Sequence, residues 1–197
     1  YIGMGIITKK LDVIALLSGL PFSKILTNKI LSTQKNIDKI IGNPKRYWVK
    51  KNNLGLEYCV FKWPEQEIDQ TNIDKISNFV SKLKIKKFNV LFDGCQLNSD
   101  GCVVIKGFEV SKEISNLRKL ILKNINFLPK KQSSWFHIPI GRILEPVGKD
   151  NFLKLKFFFE KNSDGWGHFE KINSIKLIQE YQWYMEKTKT LKQIKTL

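Results

Sequence analysis

The chain has 197 residues, which is enough for one domain with a substantial hydrophobic core. Its 42% hydrophobic and 12% aromatic content excludes a disordered chain, and its longest uncharged apolar run, residues 13–22, is too short to cross a bilayer. Lysine and arginine total 34 against 18 acidic residues, and this net charge of +16 favours polyanionic partners such as nucleic acid.

The kind of basic residue leaves the meaning of this charge open. Arg46, Arg118 and Arg142 are the only arginines, whereas evolved phosphate sites often recruit arginine for its bidentate fork. Lysine, asparagine and isoleucine are all abundant, as AT-rich codon usage would also produce. Selection for a polyanionic partner and compositional drift therefore both remain explanations.

The cysteines and histidines indicate a reducing compartment and no metal site. Three cysteines are too few and odd in number for a secreted disulfide framework, so we expect a cytoplasmic protein. Six residues separate Cys95 from Cys102, and the two histidines are far apart, which matches no zinc spacing. We expect neither a metal nor a cofactor, and no membrane association; the sequence leaves the oligomeric state open.

Residues 1–43 are predicted to form an N-terminal helical extension. The apolar segment 11–20 contains Asp12 and is not followed by a small-residue cleavage site, which favours a helix over a signal peptide. Apolar residues then recur at three- and four-residue steps from Leu26 to Ile41, and Gly42-Asn43-Pro44 ends the pattern.

Residues 44–197 are predicted to fold as one α+β unit in which a strand–helix–strand pattern occurs twice. Alternating or β-branched runs predict strands, and three- or four-residue spacing predicts helices. The predicted strands cover 47–49, 54–61, 88–92, 102–108, 135–144, 172–185 and 188–197. The predicted helices include 73–83, capped by Asp69 or Thr71, 111–121, capped by Ser111, and 152–159.

Two histidines are the candidate acid–base groups. His137 lies in a predicted strand whose alternation places Trp135, His137 and Pro139 on one face and Arg142 on the other. A basic loop precedes this strand, so His137 would suit an anionic substrate, although a structural histidine is the alternative. His168 follows a glycine-rich segment and is expected to be a solvated loop residue. Glycine-rich phosphate loops, GxSxG and HExxH are absent from the sequence.

The segment His137-Ile138-Pro139-Ile140-Gly141-Arg142 resembles the second signature of the 2H phosphoesterase superfamily, in which His-x-Thr/Ser is followed by an apolar residue and often by Gly-Arg. Residues 48–54 (WVKKNNL) are similar to the segment that precedes the first signature, and residues 175–197 to the family's closing strand pair. The resemblance covers roughly residues 47–197. It implies two pseudo-symmetric βαβ-type lobes with antiparallel sheets around a central cleft.

The resemblance also implies a mechanism that this sequence only partly retains. In the family, one histidine acts as general base and the other as general acid on a 2′,3′-cyclic or other phosphodiester, and two hydroxyls hold the phosphate. Here Gly55 stands at the first histidine, Glu57 at its hydroxyl partner and Pro139 at the second hydroxyl. Losing one acid–base group typically costs about 10²–10⁴ in rate, and losing the phosphate-binding hydroxyls costs more. Pro139 also lacks a backbone N–H, which favours an edge or a bulge at that point of the strand.

We therefore expect a divergent 2H-phosphoesterase-like protein that binds RNA or a nucleotide phosphodiester with little or no catalysis. An active cyclic phosphodiesterase with Glu57 as base and His137 as acid is one alternative, and a non-catalytic structural or protein-interaction domain is the other. The candidate catalytic residues are His137 and Glu57, and the candidate ligand-binding residues are Pro139, Gly55, Trp135, Lys130, Lys131 and Arg142.

Several of these binding candidates have structural alternatives. Trp135, Trp166 and Trp183 would stack on bases in a single-strand binder, or else belong to the core. Arg142 matches the family's frequent arginine and is expected to be a salt-bridged structural residue facing away from the cleft. Lys130 and Lys131 are either phosphate-steering residues at the cleft rim or solvated loop residues.

Overall fold

The computed structural model describes residues 9–197, so the first eight residues of the predicted extension lie outside the described residues. Within residues 9–197 there are nine strands and four α-helices. The strands are β1 (Lys10–Gly19), β2 (Arg46–Trp48), β3 (Gly55–Lys62), β4 (Phe88–Leu97), β5 (Cys102–Glu109), β6 (Phe136–Ile143), β7 (His168–Ile172), β8 (Ser174–Gln182) and β9 (Lys187–Lys195). The helices are α1 (Lys24–Ile41), α2 (Gln70–Ser81), α3 (Glu113–Asn124) and α4 (Lys149–Lys161).

The strands form two antiparallel sheets. The first has the order β3-β1-β8-β9, and the second has the order β2-β6-β5-β4-β7. Helices α2 and α3 contact β9 and β3 of the first sheet, whereas α1 and α4 contact β6 and β4 of the second. This arrangement confirms the predicted two-lobe α+β fold.

The expectation of a helix over residues 11–20 is wrong, because Lys10–Gly19 is strand β1. This strand pairs with β3 on one side and β8 on the other, so its near-continuous apolar run reflects burial on both faces of a sheet. Periodicity alone does not distinguish such a run from a buried helix. The boundary between two folding units at residue 43 stays a prediction. Strand β1, which precedes that position, pairs with β3 and β8, which follow it.

The helix boundaries follow from their caps. The Ser23 hydroxyl accepts a hydrogen bond from the Leu26 N–H at the start of α1. Asp69, one of the two predicted caps of α2, accepts a hydrogen bond from the Asn72 N–H. The predicted Ser111 cap of α3 is wrong, because the residue preceding that helix is Lys112 and no side chain caps it.

β3 and β6 lie side by side where the two sheets meet. The pairing of β6 with β5 slips by one residue at Ile140, which makes a β-bulge. The Ile140 carbonyl accepts hydrogen bonds from the Val49 N–H (3.0 Å) and from Nε2 of Gln34 (2.8 Å). Trp48 packs on Gly141, where an added Cβ would lie 2.2 Å from the indole ring, so glycine is required there.

A search of the described helices finds none with the length and hydropathy needed to span a membrane.

The central position of β1 predicts the cost of a truncation there. Leu16 is fully buried between two paired strands, so Leu16→Ala should lower the free energy of unfolding by about 2–5 kcal/mol in urea denaturation. The control Leu153→Ala, at a side chain of α4 that is 55% exposed, should change it by less than about 0.5 kcal/mol. Equal small effects of both changes would contradict the placement of β1.

Candidate functional site

His137 lies on the face of the second sheet that is opposite α1 and α4. It pairs with Lys106 of β5, whereas its neighbour Ile138 pairs with Ile105, and both isoleucines belong to the main core. The His137 ring stacks on Trp135, with 4.4 Å between ring centroids and 23° between planes. Its side chain therefore points away from the helices, as the strand alternation predicted.

The imidazole of His137 is partly buried and incompletely hydrogen-bonded. Within residues 9–197, its Nδ1 atom is buried and has no hydrogen-bond partner. Burial lowers the pKa of His137 below 6.5, and the backbone of Trp135 acts in the opposite direction. The ring is thus held neutral near pH 7, the state in which a histidine accepts a proton.

Pro139 sits two residues further along the same face. It pairs with Val104, immediately before the bulge at Ile140. Proline has no backbone N–H to donate to a ladder, so the predicted bulge at this position of the strand is confirmed. The proline ring supplies no hydrogen-bond donor to a bound anion.

Strict alternation predicted that Arg142 faces away from His137, and this prediction is wrong. The bulge inserts one extra residue, so Arg142 pairs with Cys102, which is on the same face as Val104 and Lys106. The predicted salt bridge is confirmed, because Nη2 of Arg142 lies 2.7 Å from Oδ2 of Asp100. Nε of Arg142 is buried without a partner in the described part of the chain.

Gly55 and Glu57 are carried by β3, next to β6. Gly55 pairs with Gly19 and Glu57 with Leu17, both on β1. An added Cβ at Gly55 would meet its nearest atom, Cδ2 of Leu17, at 3.7 Å, which is an ordinary contact. A Cβ atom at Gly55 therefore fits without displacing a neighbour.

Glu57 is largely enclosed, and burial raises its pKa from 4.5 to about 7, with nearby Arg118 acting against the shift. Glu180 of β8 is buried as well, and burial raises its pKa to about 7; the Glu57 charge adds to this shift, and the Met185 N–H opposes it. Two carboxyl groups with pKa values of about 7 therefore lie on the same face of the first sheet, opposite Leu17 and Val13 of β1.

The basic loop before β6 is bound to the end of β3. Gln132 accepts a hydrogen bond from the Val60 N–H (3.0 Å) and donates one to the Val60 carbonyl (2.7 Å). Lys131 places its ammonium 5.7 Å from the Trp63 ring centroid, while Lys130 is exposed. Whether Lys130 and Lys131 steer a phosphate stays a prediction.

The expectation of a solvated loop at His168 is wrong. This residue begins β7, its side chain is only 14% exposed, and its Nε2 lies 2.9 Å from Oε2 of Glu170. Glu170 also accepts hydrogen bonds from the N–H and the hydroxyl of Ser23. His168 thus belongs to a structural clamp at the start of α1. Trp166 is buried, so for this residue the core alternative is confirmed.

The sequence analysis missed three charged groups of this region: Lys106, Arg118 and Glu180. Lys106 follows the apolar run Cys102–Ile105 in β5, which was an available signal, whereas Glu180 lies in a strand that holds several polar residues. Arg118 lies on α3; its Nε donates to the Tyr58 carbonyl (2.9 Å) and its guanidinium stacks on Phe136 at 4.4 Å. Among residues 9–197, no group of three or more acidic, histidine or cysteine side chains is arranged to hold a metal.

Comparisons with known proteins identify the fold through solved structures. Neither a family model nor a curated protein matches the chain. E. coli LigT in complex with 3′-AMP matches with a TM-score of 0.61 at 11% identity, covering 95% of this chain and 99% of LigT. TT0787 of Thermus thermophilus matches with a TM-score of 0.67 at 10% identity, covering 93% of this chain and 97% of that protein.

These similarities extend over nearly the whole of both chains. LigT was also crystallised with ATP and with NADP+, and these structures match with TM-scores of 0.60 and 0.62. At such low identities the comparison establishes the fold alone, which this chain shares with LigT. The fold that the sequence resemblance implied is confirmed.

The raised pKa of Glu57 predicts a pH-dependent effect of removing its charge. Protonated Glu57 contributes stability that is present below pH 4.5 and is lost as the pH rises through about 7. Glu57→Gln should therefore gain about 1–3 kcal/mol relative to the unsubstituted chain between pH 5 and pH 8, measured by urea denaturation at both values. Glu65→Gln, at an exposed carboxylate, is the control. A Glu57→Gln variant with no relative gain at pH 8 would contradict the enclosure of this carboxyl.

Proposed function

We propose that the chain binds RNA or a nucleotide through a phosphodiester at the junction of β3 and β6, with little or no hydrolysis. The observation that carries this proposal is His137, whose partly buried imidazole lies beside an aromatic ring and whose Nδ1 has no hydrogen-bond partner within residues 9–197; burial also lowers its pKa. The net charge of +16 and the nucleotide complexes of LigT support the choice of ligand.

The ligand would meet positive charge on the His137 face of the second sheet. Lys106 is the direct strand partner of His137, and Arg142 lies on the same face beyond the bulge. These groups attract a phosphodiester, while Glu57 across the strand junction opposes it when ionised. Because burial keeps about half of the Glu57 population protonated near pH 7, this repulsion is weakened.

Slow turnover follows from the groups that are absent. Gly55 offers no acid–base group, and neither Gly55 nor Pro139 offers a hydrogen-bond donor from its side chain. In-line displacement at a phosphodiester needs both a base for the attacking oxygen and an acid for the leaving oxygen. His137 alone supplies one of these two proton transfers.

Glu57 supports an active phosphodiesterase as a second candidate function. Its pKa of about 7 is close to the value at which a carboxyl group works best as a general acid at neutral pH. The pKa of His137 is lowered, so the roles would be Glu57 as acid and His137 as base. This assignment reverses the one that the sequence suggested.

The remaining alternative is a non-catalytic structural or protein-interaction domain, in which large side chains would fill the former site. This alternative is less well supported. The face of the first sheet that carries Glu57 also carries a small apolar cluster of the short side chains Val13, Ala15 and Val60, against which Leu11 and Trp63 pack while staying partly exposed. His137 stacks on Trp135, and its Nδ1 makes no hydrogen bond within residues 9–197. We therefore rank protein interaction below nucleotide binding.

Restoring the missing groups should create turnover. An added Cβ at Gly55 makes only ordinary contacts, so we test the triple variant Gly55→His, Glu57→Thr, Pro139→Thr, which should hydrolyse 2′,3′-cyclic AMP about 10² times faster than the unsubstituted chain or more. Adding His137→Ala to the triple variant is the control and should remove the gain. Robust turnover by the unsubstituted chain that His137→Ala abolishes would contradict the proposal and favour the second candidate.

Phosphate recognition should make RNA binding depend on salt. We expect the affinity for a fluorescein-labelled single-stranded RNA octamer to fall with a slope of about −1.4 to −2.1 on a log–log plot, corresponding to two or three phosphate contacts. Lys106→Gln and Arg142→Gln should each weaken binding, whereas Lys192→Gln, at an exposed lysine of β9, should not. Undetectable binding at about 20 mM salt would overturn the RNA ligand.

A further inference from the structure

Helix α4 is apolar on nearly every side, yet it buries little of its apolar surface. Its sequence, KDNFLKLKFFFEK, contains six phenylalanine and leucine residues. Within residues 149–161, Leu155 alone is buried, whereas Phe152, Leu153 and Phe157 are 51%, 55% and 66% exposed. A helix that is apolar all round normally lies inside a protein or in another apolar medium. Much of the apolar surface of α4 is therefore available to a partner.

Leu153 and Phe157 project from the outermost side of α4. Each is two residues away from the buried Leu155. Because successive residues of an α-helix are rotated by about 100°, each of the two points about 160° away from Leu155. They are also four residues apart, so their side chains lie next to each other. Together they form an exposed apolar ridge that faces away from the second sheet.

Lysines border this apolar ridge on both sides. By the same helical rotation, Lys149 and Lys156 lie on one flank and Lys154 and Lys161 on the other, and all four are exposed. Glu160 offsets one of these charges, because its Oε1 lies 3.7 Å from Nζ of Lys156. The other acidic residue of α4 lies in the first turn of the helix. The surroundings of the ridge therefore carry a net positive charge.

Helix α1 extends this basic surface beside α4. The two helices pack against each other on one face of the second sheet, where Nδ2 of Asn151 donates a hydrogen bond to the Ile41 carbonyl (3.3 Å). Asp38, the acidic residue of α1, already accepts a hydrogen bond from Nε of Arg46 (2.7 Å). The exposed lysines of α1 are Lys24, Lys35 and Lys39. His137 lies on the opposite face of the sheet, so this surface is separate from the candidate site.

We propose that the outer face of α1 and α4 docks on the surface of an anionic lipid bilayer. Leu153 and Phe157 enter the acyl region, and the flanking lysines lie at the phosphate groups of the lipids. Apolar side chains bordered by lysines are typical of helices that lie in the membrane interface. Nucleic acid would attract the lysines, but it offers no apolar phase to Leu153. A second copy of the chain would place these lysines against one another, which like-charge repulsion opposes.

This inference goes beyond the proposed function, and it replaces the expectation of no membrane association. That expectation rested on the lack of an apolar segment long enough to span a bilayer. A helix that lies on the surface needs no such segment, because its apolar side chains reach only the boundary between headgroups and acyl chains.

The first test measures binding of the full chain to large unilamellar vesicles by co-sedimentation at about 100 mM salt, where long-range attraction is screened. One set of vesicles is pure phosphatidylcholine, and the other contains about 30% phosphatidylglycerol, which supplies anionic headgroups. We expect binding to the anionic vesicles to be at least about 10-fold tighter, because the lysines are attracted only to these.

Two sets of variants separate insertion from charge. Leu153→Ser combined with Phe157→Ser should weaken binding to the anionic vesicles about 10-fold or more, because two apolar side chains no longer enter the lipid. The matched control is Leu122→Ser, at a leucine of α3 that is 64% exposed; it should leave binding unchanged, because α3 packs against the first sheet.

The charge variants are Lys154→Gln and Lys161→Gln, and each should weaken binding to the anionic vesicles about 5-fold. Lys123→Gln, at an exposed lysine of α3, is the matched control and should have no effect.

A fluorescent label reports insertion directly. Phe157→Cys labelled with NBD should be quenched by nitroxide-bearing lipids in the anionic vesicles, whereas the same label on Leu122→Cys should not. The native cysteines are buried, so labelling is confined to the introduced thiol.

Four results would overturn the proposal. Binding to the anionic vesicles that the double serine variant leaves unchanged would be mere adsorption of a basic chain. Equal binding to both kinds of vesicle, or binding to neither, would remove the role of anionic lipid. Equal quenching at positions 157 and 122 would remove the specific insertion. Self-association that Phe157→Ser abolishes, without vesicle binding, would assign the apolar ridge to a second copy of the chain.

Discussion

The site depends on the contact between β3 and β6, because these strands carry the candidate groups of the two lobes. In β6 the bulge at Ile140 exposes a carbonyl that accepts hydrogen bonds from the Val49 N–H, just after β2, and from Nε2 of Gln34 on α1. The same bulge turns Arg142 onto the face of His137. One inserted residue therefore anchors β6 to α1 and to the segment after β2, and it also places Arg142 on the face of the imidazole.

Burial at this junction sets the protonation states. It lowers the pKa of His137, which favours the neutral imidazole near pH 7. It raises the pKa of Glu57 to about 7, so that this carboxyl group is only partly ionised at the same pH. Desolvation acts on each charged form separately, and neither group needs the other for its shift. An anion placed at the junction would therefore meet less repulsion than a fully ionised Glu57 would impose.

Much of the fold was predictable, and the local exceptions have physical causes. Apolar spacing located α1, α2 and α4, and alternation located β6 with His137, Trp135 and Pro139 on one face. The sequence did not distinguish the buried strand β1 from a helix, since strands covered on both faces lose their alternation. The orientation of Arg142 escaped prediction because a bulge shifts alternation, and the enclosure of Glu57 depends on residues distant in the sequence.

The most direct test of the central claim is a proton titration of His137 by NMR, which is simple because the chain has two histidines. We expect a titration midpoint for His137 below 6.5. We also expect this midpoint to shift upward when 3′-AMP is added, because a bound phosphate favours the imidazolium. His168, held by Glu170 in the structural clamp, should not respond to the nucleotide. Resonances of His137 that saturating 3′-AMP leaves unmoved at every pH would contradict the account.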